Sequence, residues 1–254
     1  MTEQIDLSNT CYGKVKDIHY TMAILPWGAT EPHNYHLPYL TDSILSHAVS
    51  VDTAKEVLKK TGKYVMVLPP VNAGSQNPGQ HILPFCIHYR YETQKAILSD
   101  IISALKRQGI NKLLIVNGHG GNSFKNMIRD IYIDHPDFLI ATTEWYKIAN
   151  PKDYFEEDID DHAAETETSV MLYYDPEKVN LSIMGNGKVN KNFSIEGFNK
   201  GIAWTPRHWD KISTDTGVGN PQAATAEKGR KFIEAVVNSL SGLVIEMIAK
   251  ELYE

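Results

Sequence analysis

The chain has 254 residues, enough to bury a full core, and its composition of 42% hydrophobic and 22% charged residues is ordinary for a globular protein. The formal net charge is -6 and there is no run of Lys or Arg, which argues against nucleic acid or an anionic membrane as the main partner. The N-terminus lacks a signal-peptide pattern, and no apolar run is expected to span a bilayer. Because Cys11 and Cys86 are the only cysteines, we expect a reducing, cytoplasmic setting rather than a disulfide framework.

The predicted secondary structure alternates strands and helices from residue 19 to residue 173. Short apolar runs predict strands at residues 19–25, 64–68, 113–116 and 138–142. Helical periodicity, together with end signals such as Gly62 and Gly109, predicts helices at about residues 41–60, 91–108, 123–130 and 165–173. A longer amphipathic helix is predicted at residues 223–252, after an irregular stretch at about 175–220.

This alternation indicates an α/β protein with a mostly parallel sheet that helices cover on both faces. We expect a single domain over residues 1–254, with residues 1–18 on the surface and the irregular excursion at about 175–220 covering the site. Because parallel strands end at the same edge of a sheet, the polar loops that follow them should gather at that edge.

The loop after the first predicted strand supplies Glu31, His33 and His36, and the helix start behind it supplies Asp42. Glu31 and His33 are two residues apart, so their side chains share a face in an extended segment. A carboxylate and an imidazole form a ligand set suited to zinc, manganese or iron. Two simpler interpretations stay open, because Asp42 could only cap the helix and His36 could be a packed histidine.

The turn after the third predicted strand, residues 117–122, reads Asn-Gly-His-Gly-Gly-Asn. Its glycines allow the backbone to turn tightly and to approach a ligand closely, and His119 is its only ionisable side chain. A tight turn whose histidine merely fills space explains these six residues equally well. A phosphate site at a helix N-terminus is a weaker alternative, because the Lys of a P-loop is missing.

Residues 160–169 hold a third group of candidates, which includes His162, Glu165 and Glu167. A helix that begins here would bring His162 close to Glu165. An acidic helix N-terminus, which the helix dipole favours, would explain the carboxylates without a site. Taken together, however, the three segments supply enough ligands for two metal ions that share a carboxylate about 3.5–4 Å apart and activate a water.

Five motifs in this order resemble the creatininase (creatinine amidohydrolase) family and together span most of the chain. They lie at residues 28–33, 36–38 with 41–42, 117–122, 162–169, and 217–221 leading to 226–229. The resemblance implies a three-layer αβα sandwich with a binuclear centre of zinc or manganese, with iron as a further possibility. It also implies a homo-oligomer, often a hexamer, that acts on small amides, cyclic amides or formamides.

By matching position, the resemblance implies that the metal ligands are Glu31, His33, Asp42 and His119, with Asp42 bridging the two ions. The glutamate that serves as a further ligand in creatininases is Gly121 here, and we expect Glu165 to replace it, with Glu167 as the weaker candidate. His162 matches a residue that shuttles protons in the family, so His162 and Glu165 are the expected catalytic residues.

The hypothesis is therefore a metal-dependent hydrolase that uses a metal-activated water to cleave a C–N bond of a small, cyclic amide or formamide. Departures from the family at Gln80-His81, residues 83–86 and Asn34-Tyr35 border the expected pocket and bring creatinine itself into question. Further candidates to contact the substrate are His36, His81, Gly120, Gly121, Trp145, Trp204 and Trp209. The alternative is a non-catalytic small-molecule-binding protein that keeps the fold and the metal site, although the complete ligand set argues against it.

Overall fold

The computed structural model describes residues 4–253 and has a four-stranded parallel sheet at its centre. The strands are β1 (Tyr20–Trp27), β2 (Tyr64–Val67), β3 (Lys112–Asn117) and β4 (Leu139–Glu144). They are arranged in the order β2-β1-β3-β4, and every neighbouring pair is parallel. Each strand begins within one residue of its predicted start, because the apolar runs of the sequence are the buried strands.

The helices agree with the predicted ones in position and add three short turns. The α-helices are α1 (Tyr12–Val15), α2 (Thr41–Thr61), α3 (Tyr91–Arg107), α4 (Lys125–Asp134), α5 (Glu165–Tyr174), α6 (Glu196–Asn199), α7 (Trp209–Ile212) and α8 (Ala226–Ala249). Gly62 ends α2 in the left-handed conformation, with φ 70°, as its position predicted. The excursion between α5 and α8 contains only short helical turns.

A hydrophobic core lies on each face of the sheet, because successive strand residues point to opposite faces. Met22 and Ile24 of β1 belong to the core that includes residues of α2, α5 and α8. Ala23, Leu25 and Trp27 belong to the second core, with residues of α3 and α4. The predicted three-layer αβα sandwich with a parallel sheet is confirmed.

The segment before β1 differs from its prediction as a surface wrapping. Ile5 is fully buried in the first core, and Asp6 forms a parallel bridge with Val67 at the edge of β2. The Ile5 carbonyl accepts a hydrogen bond from the Val67 amide at 2.8 Å, so this short segment extends the sheet. Ile5 and Leu7 are the only apolar residues between residues 2 and 10, too few for a periodic signal from which this contact could be predicted.

Helix α8 is long enough to span a bilayer and contains an 18-residue stretch of mean hydropathy 1.6, so length and composition alone would allow a span. In the structure α8 packs against α2 and α5, and Phe232, Val236, Leu240 and Val244 are buried in the first core. Core packing therefore explains why α8 is apolar.

The strand register brings the carboxyl ends of three strands into line. Trp27 pairs with Asn117, and Asn117 pairs with Glu144, so β1, β3 and β4 end side by side. The Gly118 amide donates a hydrogen bond to the Trp27 carbonyl at 2.8 Å, which ties the start of the glycine turn to the end of β1. The segments that follow these strands consequently face one another.

Candidate metal centre

Six side chains converge at the carboxyl edge of the sheet, and we call them the ligand cluster. They are Glu31, His33, Asp42, His119, His162 and Glu167. The first two follow β1, Asp42 is the second residue of α2, and His119 lies in the turn after β3. All six side chains are at most 15% exposed, so the cluster is almost entirely removed from solvent.

Asp42 stands between two histidines and offers one oxygen to each. Its Oδ1 lies 3.0 Å from Nε2 of His33, and its Oδ2 lies 3.2 Å from Nδ1 of His119. The Oδ2 atom is buried and has no hydrogen-bond partner of acceptable geometry. Burying a carboxylate oxygen without a partner costs free energy, and a metal ion bound to that oxygen would remove this cost.

Glu31 contacts the other side of His119 and approaches His162. Its Oε1 lies 2.9 Å from Nδ1 of His119 and 3.7 Å from Nδ1 of His162. Its Oε2 accepts a hydrogen bond from Nε2 of Gln80, whose own Oε1 accepts from the Asn77 amide. The Gln80 amide is thereby oriented to donate to Glu31 and to hold its carboxylate.

Each histidine of the cluster uses one ring nitrogen on a backbone carbonyl and points the other into the cluster. Nδ1 of His33 contacts the Glu31 carbonyl at 3.0 Å, Nε2 of His119 contacts the Ser75 carbonyl at 2.8 Å, and Nε2 of His162 contacts the Pro32 carbonyl at 3.0 Å. Since a carbonyl can only accept, each of these nitrogens carries the proton. The remaining nitrogen of each neutral ring is free to bind a metal, which is the usual arrangement around ligating histidines.

Glu167, not Glu165, belongs to the ligand cluster. The Oε1 of Glu167 lies 4.0 Å from Nε2 of His33, and its Oε2 accepts a hydrogen bond from the Ala163 amide at 2.6 Å. Glu165 is fully buried on the other side of the turn, where its carboxylate contacts Nζ of Lys228 at 2.5 Å. The same carboxylate accepts from the amides of Glu156 and Glu157, both at 2.8 Å. These contacts oppose the expectation that Glu165 is a ligand or a catalytic residue.

The ligand atoms fall into three groups that could each hold a metal ion. The groups are Glu31, His33 and His162; Glu31, Asp42 and His119; and His33, Asp42 and Glu167. The last two groups share Asp42 and together use the five residues Glu31, His33, Asp42, His119 and Glu167. Their oxygen and imidazole donors suit zinc or manganese, so the residues present fit the metal that the resemblance implied.

The pKa shifts within the cluster also indicate that its buried carboxylates require positive charge nearby. Burial opposes protonation of His33, but the charge and hydrogen bond of Asp42, with Glu167 and Glu31, raise its pKa to about 10. Burial likewise opposes protonation of His119, and Glu31 and Asp42 nevertheless raise its pKa well above the ordinary value. Burial raises the pKa of Glu167. Without a metal ion, the charges of the buried carboxylates would keep His33 and His119 protonated, and burial would favour a proton on Glu167.

His162 is held by backbone strain and by ring contacts. It pairs with Val218 in an antiparallel bridge and is followed by Ala163 with φ 50°, a conformation that is rare for a residue other than glycine. Its ring lies 4.4 Å from the ring of His33 and 5.3 Å, edge to face, from the ring of Trp209. His162 is therefore fixed within the cluster with Nδ1 directed toward Glu31.

The excursion contacts the loop that carries the first ligands. Asn34 has φ 53° and Thr216 has φ 66°, and the Asn34 amide donates to Oγ1 of Thr216 at 2.8 Å. The Oδ1 of Asn34 accepts from the Gly185 amide at 2.8 Å. Asn34, one of the departures from the family pattern, thus ties the excursion to the loop of Glu31 and His33.

The other predicted pocket residues are spread over different environments. His36 is buried and contacts Oγ1 of Thr168 at 2.8 Å, and burial lowers its pKa to about 4. His81 is exposed, whereas the neighbouring Gln80 reaches Glu31. Trp204 is 85% exposed in the excursion. Trp145 is fully buried in the first core, with its ring 6.3 Å from that of Phe232.

The glycine turn leaves room on one side of His119 and none on the other. A Cβ at Gly121 would overlap the Ser75 carbonyl oxygen and the His119 ring. A Cβ at Gly120 would have Tyr146 as its neighbour, with the hydroxyl 3.7 Å away. The sequence analysis placed Gln80-His81 at the border of the pocket without giving Gln80 a role, and it missed Tyr146.

The comparisons with known proteins agree on one family. The family model described as creatininase, creatinine amidohydrolase, matches residues 10–244. A mycofactocin precursor peptide peptidase of Mycolicibacterium smegmatis is 26% identical over 222 residues, which are 85% of this chain and 81% of that protein. A creatinine amidohydrolase of Pseudomonas putida is 25% identical over 243 residues, 88% of each chain.

Solved structures extend this agreement to the fold. A Bacteroides fragilis protein, provisionally assigned as a creatinine amidohydrolase, is 56% identical over the whole of both chains, with a TM-score of 0.98. A creatininase structure is 19% identical and superposes with a TM-score of 0.80, over 98% of this chain and 100% of that one, which shows the fold alone. Other creatininase structures with this fold are described as a Zn-Zn type and as an Mn type.

Proposed function

The chain belongs to the creatininase family, and from this membership and the geometry of the ligand cluster we propose that it is a metal-dependent hydrolase of amide C–N bonds. The family predicted from the five sequence motifs is confirmed. The proposal goes further than the family, because it assigns a chemistry to the residues of this chain.

One observation carries the proposal: three buried histidines each hold a backbone carbonyl with one ring nitrogen and direct the other ring nitrogen at a set of three carboxylates. The opposite nitrogens of His33, His119 and His162 are fixed by backbone carbonyls. A purely structural cluster would gain nothing from leaving Oδ2 of Asp42 buried without a partner. We infer that Glu31, His33, Asp42, His119 and Glu167 hold two divalent ions, zinc or manganese, with Asp42 shared between them.

Two such ions, when bound, would lower the pKa of a water to about 7 and polarise a substrate carbonyl. The residues of this chain would exclude bulk water, orient the ligands and transfer the proton. The buried position of the cluster excludes bulk water, and Gln80 keeps Glu31 oriented through a hydrogen bond. His162 carries its fixed proton on Nε2, so Nδ1 is the atom that can accept a proton and pass it to the departing nitrogen.

The substrate that we propose is a small amide, either cyclic or a formamide. The names of the relatives, an amidohydrolase and a peptide peptidase, both denote cleavage of a C–N bond next to a carbonyl. The burial of the ligand cluster favours a compact substrate. We also propose that the protein is a cytoplasmic homo-oligomer, a hexamer by family resemblance.

The peptidase relatives provide a second candidate, trimming of a peptide at the same metal centre. The chain covers 81% of the length of the first of these relatives, so the match is not confined to a short motif. We rank this candidate second because a peptide needs an open approach, whereas the excursion is tied to the ligand loop through Asn34.

A combined metal and substrate assay tests the proposal. Protein purified without chelators should contain about two transition-metal ions per chain by elemental analysis. The zinc- or manganese-loaded protein should hydrolyse one of a panel of creatinine, lactams, formamides and short peptides, and removal of the metal should abolish that activity. Tight binding without turnover across the panel would instead favour the non-catalytic alternative, and metal-free protein with full activity would overturn the proposal.

A further inference from the structure

Tyr146 lies beside the glycine turn that carries His119. It lies two residues after the end of β4, and Glu144 at that end is in register with Asn117 of β3. The Tyr146 hydroxyl lies 3.7 Å from the position that a Cβ on Gly120 would take, and Gly120 is the exposed neighbour of His119. The hydroxyl therefore stands beside Gly120, next to His119 of the ligand cluster.

The Tyr146 hydroxyl donates a hydrogen bond to a neighbouring carboxylate. It donates to Oε1 of Glu144 at 3.1 Å, and the other oxygen of Glu144 accepts from Nζ of Lys147 at 2.8 Å. Since an ionised carboxylate can only accept, the hydroxyl proton must point toward Glu144. The free lone pairs of the hydroxyl oxygen are then available as an acceptor.

The surroundings keep this hydroxyl protonated and in place. Burial raises the pKa of Tyr146 strongly, and the charges of Glu144, Asp42 and Glu167 raise it further. The ring packs edge to face against Trp145, with the ring centres 5.8 Å apart, and Trp145 is fully buried. A fixed, neutral acceptor is a specificity element of the kind found in small-molecule sites.

We propose that Tyr146 is a substrate-binding residue whose hydroxyl oxygen accepts a hydrogen bond from an N–H of the substrate. The site would then select amides that carry an N–H beside the carbonyl over N-alkylated amides, because a methyl group would leave the buried acceptor without its partner. This inference rests on the proposed function, since it takes the ligand cluster to be the place where the amide binds.

The test compares two small metal-binding probes that differ only at nitrogen, acetohydroxamate and N-methylacetohydroxamate. Zinc-loaded wild-type protein and Tyr146→Phe are titrated with each probe by calorimetry, and zinc content is measured for both proteins. Loss of a neutral hydrogen bond should weaken acetohydroxamate about 3- to 10-fold in Tyr146→Phe and leave N-methylacetohydroxamate unchanged. The zinc content should not change, because Tyr146 is not a ligand.

Tyr174→Phe is the matched control. Tyr174 donates to Oδ2 of Asp52 at 3.0 Å, so this variant also removes a tyrosine–carboxylate hydrogen bond, between α5 and α2 and outside the ligand cluster. Its affinity for both probes should equal that of the wild type.

Each other outcome overturns a defined part of the reasoning. If Tyr146→Phe binds both probes more weakly by the same factor, the hydroxyl donates to the probe carbonyl and the acceptor role is overturned. If the affinities for both probes are unchanged, the hydroxyl does not contact the substrate. If the zinc-loaded wild type binds neither probe, the amide-binding metal centre fails and this inference fails with it.

Discussion

Two buried acidic clusters lie at either side of the start of α5, and they neutralise their charge in different ways. Glu165 is fully buried against Lys228, a cation that the chain itself supplies, and two backbone amides satisfy its second oxygen. Two residues further on, Glu167 joins Asp42 and Glu31, whose ionic partners within residues 4–253 are histidines only.

The difference shows how to tell a structural carboxylate from a ligand. A buried carboxylate with a lysine and backbone amides is complete, so it has no reason to bind a cation from solution. A buried cluster of carboxylates whose only ionic partners are histidines has its charge balanced either by protons or by metal. We call Glu165 with Lys228 the lysine pair, and the predictions below separate it from the ligand cluster.

The largest effect is expected for Asp42→Ala in the ligand cluster. Asp42 contacts both His33 and His119, so its removal should strip most of the metal and lower activity by more than about 100-fold, since even partners outside the metal's direct ligands cost about 10- to 100-fold. Elemental analysis and turnover of the metal-loaded protein measure both quantities.

Asp52→Ala serves as the control, because Asp52 lies on the same helix and is paired with Lys55 and Tyr174. It should keep full metal content. An Asp42→Ala protein that still binds two ions per chain would mean that Asp42 is not a shared ligand, and the comparison between the two clusters would lose its basis.

An intermediate effect is expected for Lys228→Met in the lysine pair. The substitution keeps the length of the side chain and leaves Glu165 buried without its cation, so the free energy of unfolding should fall by about 3 kcal/mol. Urea denaturation measures the loss, and the metal content per folded chain should stay at the wild-type value. Loss of metal with little loss of stability would place Glu165 in the metal centre after all.

The smallest effect is a pH dependence that only the metal-free protein should show. Asp42 and its neighbours raise the pKa of His33 to about 10 against burial, whereas the unfolded value is about 6.5. The corresponding stabilisation is complete below pH 6.5 and is lost as the pH rises toward 10. The free energy of unfolding of chelator-treated protein should therefore fall between pH 7 and pH 9.

The lysine pair should not contribute within this range. The pKa of Lys228 is raised from an ordinary value of 10.5, so its stabilisation is lost only above that pH. The metal-loaded protein should show little change between pH 7 and pH 9, because metal replaces the proton on His33. If the free energy of unfolding of the metal-free protein stays constant between pH 7 and pH 9, His33 does not carry the additional proton that its raised pKa implies.

The sheet and four members of the ligand cluster could be predicted from the sequence, because local residue patterns mark both. Apolar runs marked the strands, and the polar residues directly after β1 and β3 marked the edge where Glu31, His33 and His119 meet. The sequence left Asp42 as a helix cap or a ligand, and only the structure shows its contacts with two histidines.

The choice between Glu165 and Glu167 could not be predicted from spacing. Helical spacing favoured Glu165 as the neighbour of His162, but Ala163 between them has φ 50° and turns the chain away from helical geometry. The partner that holds Glu165, Lys228, is 63 residues further along the chain, so no local pattern reveals it. Tyr146 was missed for a similar reason, since its relation to Gly120 depends on the register of β3 and β4.

The crowding at Gly121 limits how this centre could be re-engineered. Where the family resemblance places a metal-binding glutamate, any side chain would strike the Ser75 carbonyl, which also holds the ring of His119. A glutamate introduced at this position would therefore displace His119 unless the segment that carries Ser75 were changed as well.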